Sequence, residues 1–360
     1  MEQKDDYIIQ QLTLNDSNLP AVLEVVKDAF IRNSPNEGGT IAFKEDTFRL
    51  MFNSPHLPKN LNVVAIYKPT NEIVGFTGGI PRDLAYNGRI YKFGIPGFAS
   101  VHWKHQRKGL ALRMGKKLLK ISKDLGYQGG FALFEPEAYG IDTSEKLISE
   151  TNLKRVEILN IKKFLIRIFN VKEVSSVVKL KWFEKLGLRL LQRIPKIDYK
   201  NVRKYEKKDG DRLYELMQDH LKNNDMAFLR DYDDFIWYLN HPAINCVVND
   251  GDNGQINGFI VAWEMQLAGF GNNIPCGWLD LVHTYRLSLN ESTNLCNYLC
   301  KTCRERGWFG IQSPYIPYFN PKPFKKARFV FFPKQLLVHM YCLEDLDIPD
   351  SVDSIYLDWR

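Results

Sequence analysis

Apolar residues in the first 134 positions alternate between a spacing of two and a spacing of three or four. A period of two marks strands, whereas a period near 3.6 marks helices that bury one face. In chain order the pattern predicts a strand at 7–12, helices at 17–30 and 44–52, strands at 62–67, 72–80, 89–93 and 95–101, a helix at 109–125 and a strand at 130–134. This alternation restricts the region to an α/β or α+β fold.

The second half repeats the same order weakly. It predicts a strand at 202–206, helices at 209–221 and 233–239, a hairpin of 244–248 with 256–263, a strand at 278–282, a helix at 291–306 and a strand at 309–312. We interpret the repeat as an internal duplication of fold. The expected division is a first domain at 1–170, a basic connector at 171–200 and a second domain at 201–360.

Charge is distributed unevenly along the chain. The net charge of +7 combines +2 over residues 1–153, +12 over residues 154–208 and −7 over residues 209–360. The basic part contains an amphipathic stretch with an apolar stripe of Leu180, Phe183, Leu186, Leu190 and Ile194, beside Trp182. We expect this helix to dock on its own protein, and an anionic membrane or a nucleic acid remains the alternative partner.

Other features indicate the compartment and argue against a metal. No apolar run of about 18 residues occurs, and the N-terminus lacks the pattern of a signal peptide, so a cytoplasmic protein without a transmembrane segment is expected. The spacing of Cys296, Cys300 and Cys303 matches an iron–sulfur motif, but these residues share the buried face of a predicted helix, which favours core packing. No ligands converge with His102 and His105, so no metal is predicted.

The segment with recognisable chemistry is a strand that runs through a basic turn into the helix at 109–125. The first N–H groups of a helix lack internal partners and lie at the positive end of its dipole, so this turn can bind an anion. Gly109 permits close approach of a phosphate, and Arg107 and Lys108 add positive charge. Ala111 is small enough not to block that approach.

These residues resemble the acyl-CoA motif of the GCN5-related N-acetyltransferase (GNAT) family, here Gln106-x-x-Gly109-x-Ala111 followed by a helix and a strand ending in Glu135-Pro136. The resemblance implies tandem GNAT folds, each a mixed, mostly antiparallel twisted sheet flanked by helices. It also implies that two strands splay apart around the pantetheine of acetyl-CoA. The implied cofactor-binding residues are Phe98, Ala99, Ser100 and Val101 for pantetheine, Gln106 as the first residue of the motif, and Arg107, Lys108, Gly109, Leu110, Ala111 and Leu112 for the diphosphate.

The resemblance extends to catalysis. The two-domain acetyltransferases of the enhanced-intracellular-survival type place a tyrosine beyond the fifth strand to protonate the leaving thiolate, and Tyr139 matches its position. Glu135 and Glu137 are candidate bases for the amine proton, with the carboxylate of Arg360 as a competitor. The Val101 N–H is the implied oxyanion donor.

Only the first half is expected to bind the cofactor. In the second half the corresponding helix follows Ser288, which can form a capping box with Glu291 and would put a carboxylate where a diphosphate should lie.

The expected activity is N-acetyl transfer from acetyl-CoA to a small-molecule or peptide amine by direct attack in a ternary complex. Nucleic acid is not an expected partner, and self-association into a homo-oligomer is left open. One alternative is an N-acyltransferase for longer chains, since N-myristoyltransferases resemble paired units of this fold. The other is a non-catalytic CoA-binding module whose basic helix faces a membrane or nucleic acid.

Overall fold

The computed structural model describes residues 5–32, 38–136, 139–151, 153–195, 199, 201–251, 254–344, 346 and 349–360. The strands found there are β1 Tyr7–Gln11, β2 Thr40–Ala42, β3 Asn62–Tyr67, β4 Glu72–Tyr86, β5 Arg89–Val101, β6 Gly129–Phe134, β7 Lys154–Ile168, β8 Val202–Lys204, β9 Met226–Leu229, β10 Ile244–Asp250, β11 Ile256–Gly269, β12 Asn272–His283, β13 Gly310–Pro314, β14 Val330–Cys342 and β15 Ile355–Tyr356. The α-helices are α1 Leu19–Arg32, α2 Glu45–Phe52, α3 Leu110–Asp124, α4 Tyr139–Thr151, α5 Val171–Val174, α6 Trp182–Leu191, α7 Gly210–Leu221, α8 Tyr232–Leu239, α9 Leu289–Glu305 and α10 Lys322–Lys326.

The chain forms two compact units, each assembled from separated segments. The first unit contains residues 1–33, 51–160 and 335–352, and the second contains residues 34–50, 161–334 and 353–360. These units are defined by which residues pack together, whereas the predicted boundaries concern a duplication of the fold. The division at 170 and 200 therefore stays a prediction.

The first unit is built on the strand order β1-β3-β4-β5-β6-β14. All neighbours in it are antiparallel except β5 and β6, which run parallel. Helix α3 covers this sheet because its apolar residues recur every three or four positions, and the buried set is Leu110, Met114, Leu118 and Ile121. Gly75 of β4 allows the close approach, since a Cβ there would lie 3.0 Å from the Met114 side chain.

The second unit has the order β7-β13-β12-β11-β10-β8, with β2 on β11. Strands β12 and β13 run parallel, as do β9 and β15, and helix α9 buries one face in the core of this unit. Each unit is thus a mixed, mostly antiparallel sheet flanked by helices, which confirms the predicted fold class.

Several boundaries differ from the predictions, and two of them lie in the hairpin of β4 and β5. The predicted strands at 89–93 and 95–101 are one strand, β5, because Gly94 and Pro96 both keep their places in the antiparallel register with β4. Strand β4 continues six residues past the predicted end at Ile80, to Tyr86, because the hairpin with β5 turns only at Asn87 and Gly88, which both have positive φ.

Candidate functional site

A gap opens between β5 and β6. In the described part of the chain these strands pair at two positions only, Phe93 with Gly129 and Gly94 with Gly130. Beyond them β5 stays paired with β4 up to Val101, while β6 pairs with β14. Two neighbouring strands therefore diverge, as the resemblance implies for a pantetheine site.

The last residue of β5 turns its backbone toward this gap. The His102 N–H donates to the Val74 carbonyl at 2.9 Å, so this pair is hydrogen-bonded across the ladder with β4. Hydrogen-bonded and non-hydrogen-bonded pairs alternate along an antiparallel ladder, and Val101 therefore directs its N–H and C=O away from β4. The Gln106 side chain donates to that carbonyl at 3.3 Å. The Val101 N–H therefore points away from β4, and its role as an oxyanion donor stays a prediction.

A β-bulge lies just before this point. The register of β4 and β5 shifts between Phe76 and Gly78, and Phe98 opposite adopts a positive φ of 59°. A non-glycine residue with a positive φ has a strained backbone, and this conformation persists only where the surrounding structure enforces it. The Phe98 ring packs against Phe30 and Phe52, with centroids 6.0 and 5.0 Å away. Sequence patterns gave no signal for this bulge, which sets the backbone direction of the residues that follow.

The predicted pantetheine residues differ in exposure. Ser100 is buried and its hydroxyl has no hydrogen-bond partner, Ala99 is exposed, and Phe98 and Val101 are half-buried. An unpartnered buried hydroxyl is uncommon and indicates a place where a ligand or water can bind.

The predicted phosphate turn has two residues with positive φ and leads into an uncapped helix. Arg107 and Gly109 have φ of 59° and 70°, and residues 106–109 are exposed. Helix α3 starts at Leu110 without a side-chain cap and with no acidic residue in its first turn. The first backbone N–H groups of a helix have no internal partner, so an anion can bind at this uncapped helix start. Of the next predicted residues, Leu110 is buried and Ala111 and Leu112 are half-buried.

Lys108 is held by a neighbour that the sequence did not reveal. Its Nζ donates to the Tyr7 hydroxyl at 2.9 Å, and that hydroxyl lies 3.0 Å from His105 Nδ1. The bond to Tyr7 raises the pKa of Lys108. Partial burial, together with the charge of Lys108, lowers the pKa of His105. The lysine charge is therefore fixed beside the turn by contacts between β1 and the segment before α3.

The predicted catalytic residues follow β6. Glu135 is exposed directly after the strand, and Tyr139 is the first residue of α4, although its side chain lies outside the described part. Glu137 also lies outside the described residues. In the second unit, the buried Arg360 side chain pairs with Asp234 and donates to the Leu50 carbonyl at 3.3 Å.

The cysteines belong to the core. All six are buried free thiols. Burial raises the pKa of Cys300 to about 12 and those of Cys296 and Cys303 well above the ordinary value, so these groups stay protonated. The core-packing interpretation is confirmed. Among the described residues no group of three or more His, Cys, Asp or Glu side chains could hold a metal ion.

The second unit also contains a short parallel contact between two strands. Strands β12 and β13 also pair at two positions, Gly277 with Ile311 and Trp278 with Gln312. The Tyr318 hydroxyl accepts a hydrogen bond from the Val282 N–H at 3.1 Å, so a side chain satisfies this backbone N–H of β12. Ser288 and Glu291 form the predicted capping box at the start of α9.

A cavity of about 490 Å³ lies beside α9 in the second unit. Apart from one histidine, its polar lining residues are uncharged, and they include His220, Asn223, Asn224, Thr284 and Asn320. The His220 Nε2 lies 3.1 Å from the Tyr318 carbonyl and must carry the proton, which leaves the buried Nδ1 without a partner.

Comparison with known proteins agrees with this geometry. Residues 12–158 match the family model described as an acetyltransferase (GNAT) domain, which includes the splayed strands and the turn. The glycylpeptide N-tetradecanoyltransferase of Plasmodium falciparum (isolate 3D7) is 24% identical over 226 residues, 61% of this chain and 51% of that protein. The chain thus spans about half the length of the curated relatives it matches.

Solved structures show the same fold. Two structures of Saccharomyces cerevisiae N-myristoyltransferase with bound myristoyl-CoA align with TM-scores of 0.73 and 0.74 at 14% and 15% identity. Each alignment covers 95% of this chain, and 84% and 80% of those chains. The domain match and the relatives support the prediction of an acyltransferase enzyme. Within the described ranges, every helix is too short or too polar to cross a lipid bilayer.

Proposed function

We propose that this protein is an N-acyltransferase that transfers a long-chain acyl group from acyl-CoA to the N-terminal amine of a peptide. The observation that carries the proposal is the gap between β5 and β6, which leads to an uncapped helix N-terminus at a turn with two positive φ angles. The relatives favour the long-chain alternative over acetyl-CoA, since one is named for tetradecanoyl transfer to glycylpeptides and the aligned structures hold myristoyl-CoA.

In this proposal the donor lies along the end of β5. Residues 107–112 bind the diphosphate through the N–H groups of the turn and the first turn of α3, with Arg107 supplying charge. Phe98, Ala99, Ser100 and Val101 line the pantetheine, and the Gln106 side chain supports this edge. The assignment of acyl-CoA to the first half alone is also part of the proposal.

The chemistry is direct attack of the amine nitrogen on the thioester carbonyl. A C–N bond forms, the carbonyl oxygen becomes negative next to the Val101 N–H, and the C–S bond then breaks to release the CoA thiolate. The amine must lose a proton and the thiolate must gain one. Glu135 is the described carboxylate proposed as base, directly or through water, and Tyr139 is the proposed acid.

The two units are proposed to be copies of one fold. In each, a long antiparallel hairpin leads to a two-position parallel contact with the strand that follows a long helix. Tyr318 bonds the splayed strand in the second unit, and a capping box closes the N-terminus of α9. These contacts support one acyl-CoA site per chain.

The test is thiol release with acetyl-, octanoyl- and myristoyl-CoA and a peptide beginning with glycine. We expect turnover to be greatest with myristoyl-CoA, and the same peptide with an acetylated N-terminus should release no thiol. Highest turnover with acetyl-CoA would favour the acetyltransferase alternative. Tight binding of myristoyl-CoA without thiol release from any amine would support a non-catalytic CoA-binding module.

A further inference from the structure

Helix α6 presents a continuous apolar face to solvent. Its large apolar side chains are exposed by 77% at Trp182, 52% at Phe183, 55% at Leu186 and 73% at Leu190. With 3.6 residues per turn, these four positions fall within an arc of about 100°. These four side chains therefore do not pack against the described part of the chain, although Leu180 and Ile194 of the apolar stripe are half-buried. A cluster of this kind on a soluble surface marks an interaction site.

The helix is nevertheless held firmly by its ends and its opposite side. The Arg167 guanidinium is buried and donates to the Leu191 carbonyl at 2.5 Å and the Arg193 carbonyl at 3.2 Å. A cation bonded to the last carbonyls stabilises a helix C-terminus. Leu188 and Leu191 on the other face are half-buried. The exposed face thus belongs to a fixed helix.

The first turn of α6 uses its acidic residue internally. The Glu184 carboxylate accepts the Lys181 backbone N–H at 2.7 Å. This bond satisfies the helix start and turns the carboxylate toward the backbone. The negative charge is therefore engaged at the N-terminus of α6.

Positive charge lies along one side of the apolar face. The segment 178–194 carries five basic residues against Glu184, and these are Lys179, Lys181, Lys185, Arg189 and Arg193. Lys185 and Arg189 border the apolar arc on the side of Trp182, because at about 100° per residue they lie about 60° and 20° beyond it. The Lys181 Nζ lies 5.8 Å from the Phe183 ring centroid.

We propose that this surface, formed by Trp182, Phe183, Leu186 and Leu190 with their basic neighbours, binds the interface of an anionic membrane. Amphipathic helices of this composition lie in the interface plane with the apolar face in the acyl boundary and the cations at the headgroups. Leu186 and Leu190 offer nothing to stack on a base, so the exposed side chains favour lipid over nucleic acid. Peripheral membrane binding goes beyond the proposed acyl transfer and does not depend on it.

The experiment is co-sedimentation of the full chain, without acyl-CoA, with phosphatidylcholine vesicles that contain about 30% phosphatidylserine. We expect binding to these vesicles and much weaker binding to pure phosphatidylcholine. The double variant Trp182→Ser/Leu190→Ser should bind at least about a hundredfold more weakly, as expected when two large apolar side chains no longer enter the acyl boundary. Lys185→Gln/Arg189→Gln should weaken binding about 25-fold at low salt, from about fivefold for each charge. The control is Ile90→Ser, which replaces a side chain that is 67% exposed on β5.

The outcomes separate the possible partners. Equal sedimentation of the wild-type chain and the Trp182→Ser/Leu190→Ser variant would overturn the proposal, as would no binding to anionic vesicles by a folded sample. Self-association abolished by Leu186→Ser would identify a second copy of the chain as the occupant. Binding to single-stranded RNA with no binding to vesicles would identify nucleic acid. Each of these last two results would also overturn the proposal.

Discussion

Gly109→Ala is the substitution that most directly tests the role of the phosphate turn in acyl-CoA binding. Gly109 has a φ of 70°, and a Cβ built on it would meet nothing within 4 Å. The substitution therefore adds no clash within the chain, and its effect comes from backbone conformation. Holding a non-glycine residue in the left-handed region costs roughly 1–2 kcal/mol. Because residues 106–109 are exposed, we expect the turn to relax in the free protein and to be forced back on binding.

The expected result is a rise of roughly fivefold to thirtyfold in the Kd for myristoyl-CoA, which corresponds to 1–2 kcal/mol. A Cβ that also approached the diphosphate would increase this loss, so the range is a lower bound. Isothermal titration calorimetry measures the affinity, and urea denaturation measures the stability. The free energy of unfolding should change by less than the binding free energy.

Gly126→Ala is the matched control at the other end of the same helix. Gly126 has a φ of 73°, and its Cβ would also meet nothing within 4 Å. Its N–H donates to the Lys123 carbonyl at 3.0 Å, so its conformation is fixed by the helix end. This variant should lose stability and keep its affinity. Wild-type affinity of Gly109→Ala, or equal losses of affinity in both variants, would refute the role given to the turn.

Three further predictions concern the second unit. Burial lowers the pKa of His220 and of His283, so below about pH 6.5 the unfolded chain binds protons that the folded chain does not. The free energy of unfolding, measured by urea denaturation, should therefore fall below about pH 6.5 by up to about 1.4 kcal/mol per pH unit for each histidine. Stability unchanged down to pH 5 would contradict this. Arg230→Met removes the cation whose Nε lies 2.5 Å from the buried Asp358 carboxylate, and the free energy of unfolding, measured by urea denaturation, should fall by about 3–5 kcal/mol. Ser288→Ala removes the cap of α9 and should lower the melting temperature, with a loss of about 0.5–2 kcal/mol, whereas an unchanged temperature would argue against the cap.

The parts of the fold that could be predicted are those where hydrophobic period and turn residues agree. Helix α3 was predicted almost to the residue because its apolar face is regular and Gly126 ends it with a positive φ. Strands β7 and β14 were not predicted. Both have irregular burial along their length, so neither shows a clean period of two. A sequence period of two reveals a strand only when one of its faces is buried along its whole length. The buried residues of β7 and β14 do not alternate in this way, so the sequence pattern does not reveal these strands.

The candidate site divides in the same way. The phosphate turn could be predicted because its chemistry depends on local residues, with Gly109 at the helix start. The bond from Lys108 to Tyr7 could not, since it joins residues 101 positions apart. The positive φ of Phe98 had no sequence signal either, because phenylalanine seldom adopts it and three-dimensional packing enforces it. Contacts between distant segments therefore determine the part of the site that the sequence did not reveal.

The most direct measurement for the central proposal is the intact mass of a glycine-initiated peptide after incubation with this protein and myristoyl-CoA. The proposal predicts a peptide that gains one myristoyl group on its N-terminal amine, with one equivalent of free CoA released. An unmodified peptide, from a sample that calorimetry shows to bind myristoyl-CoA, would contradict it.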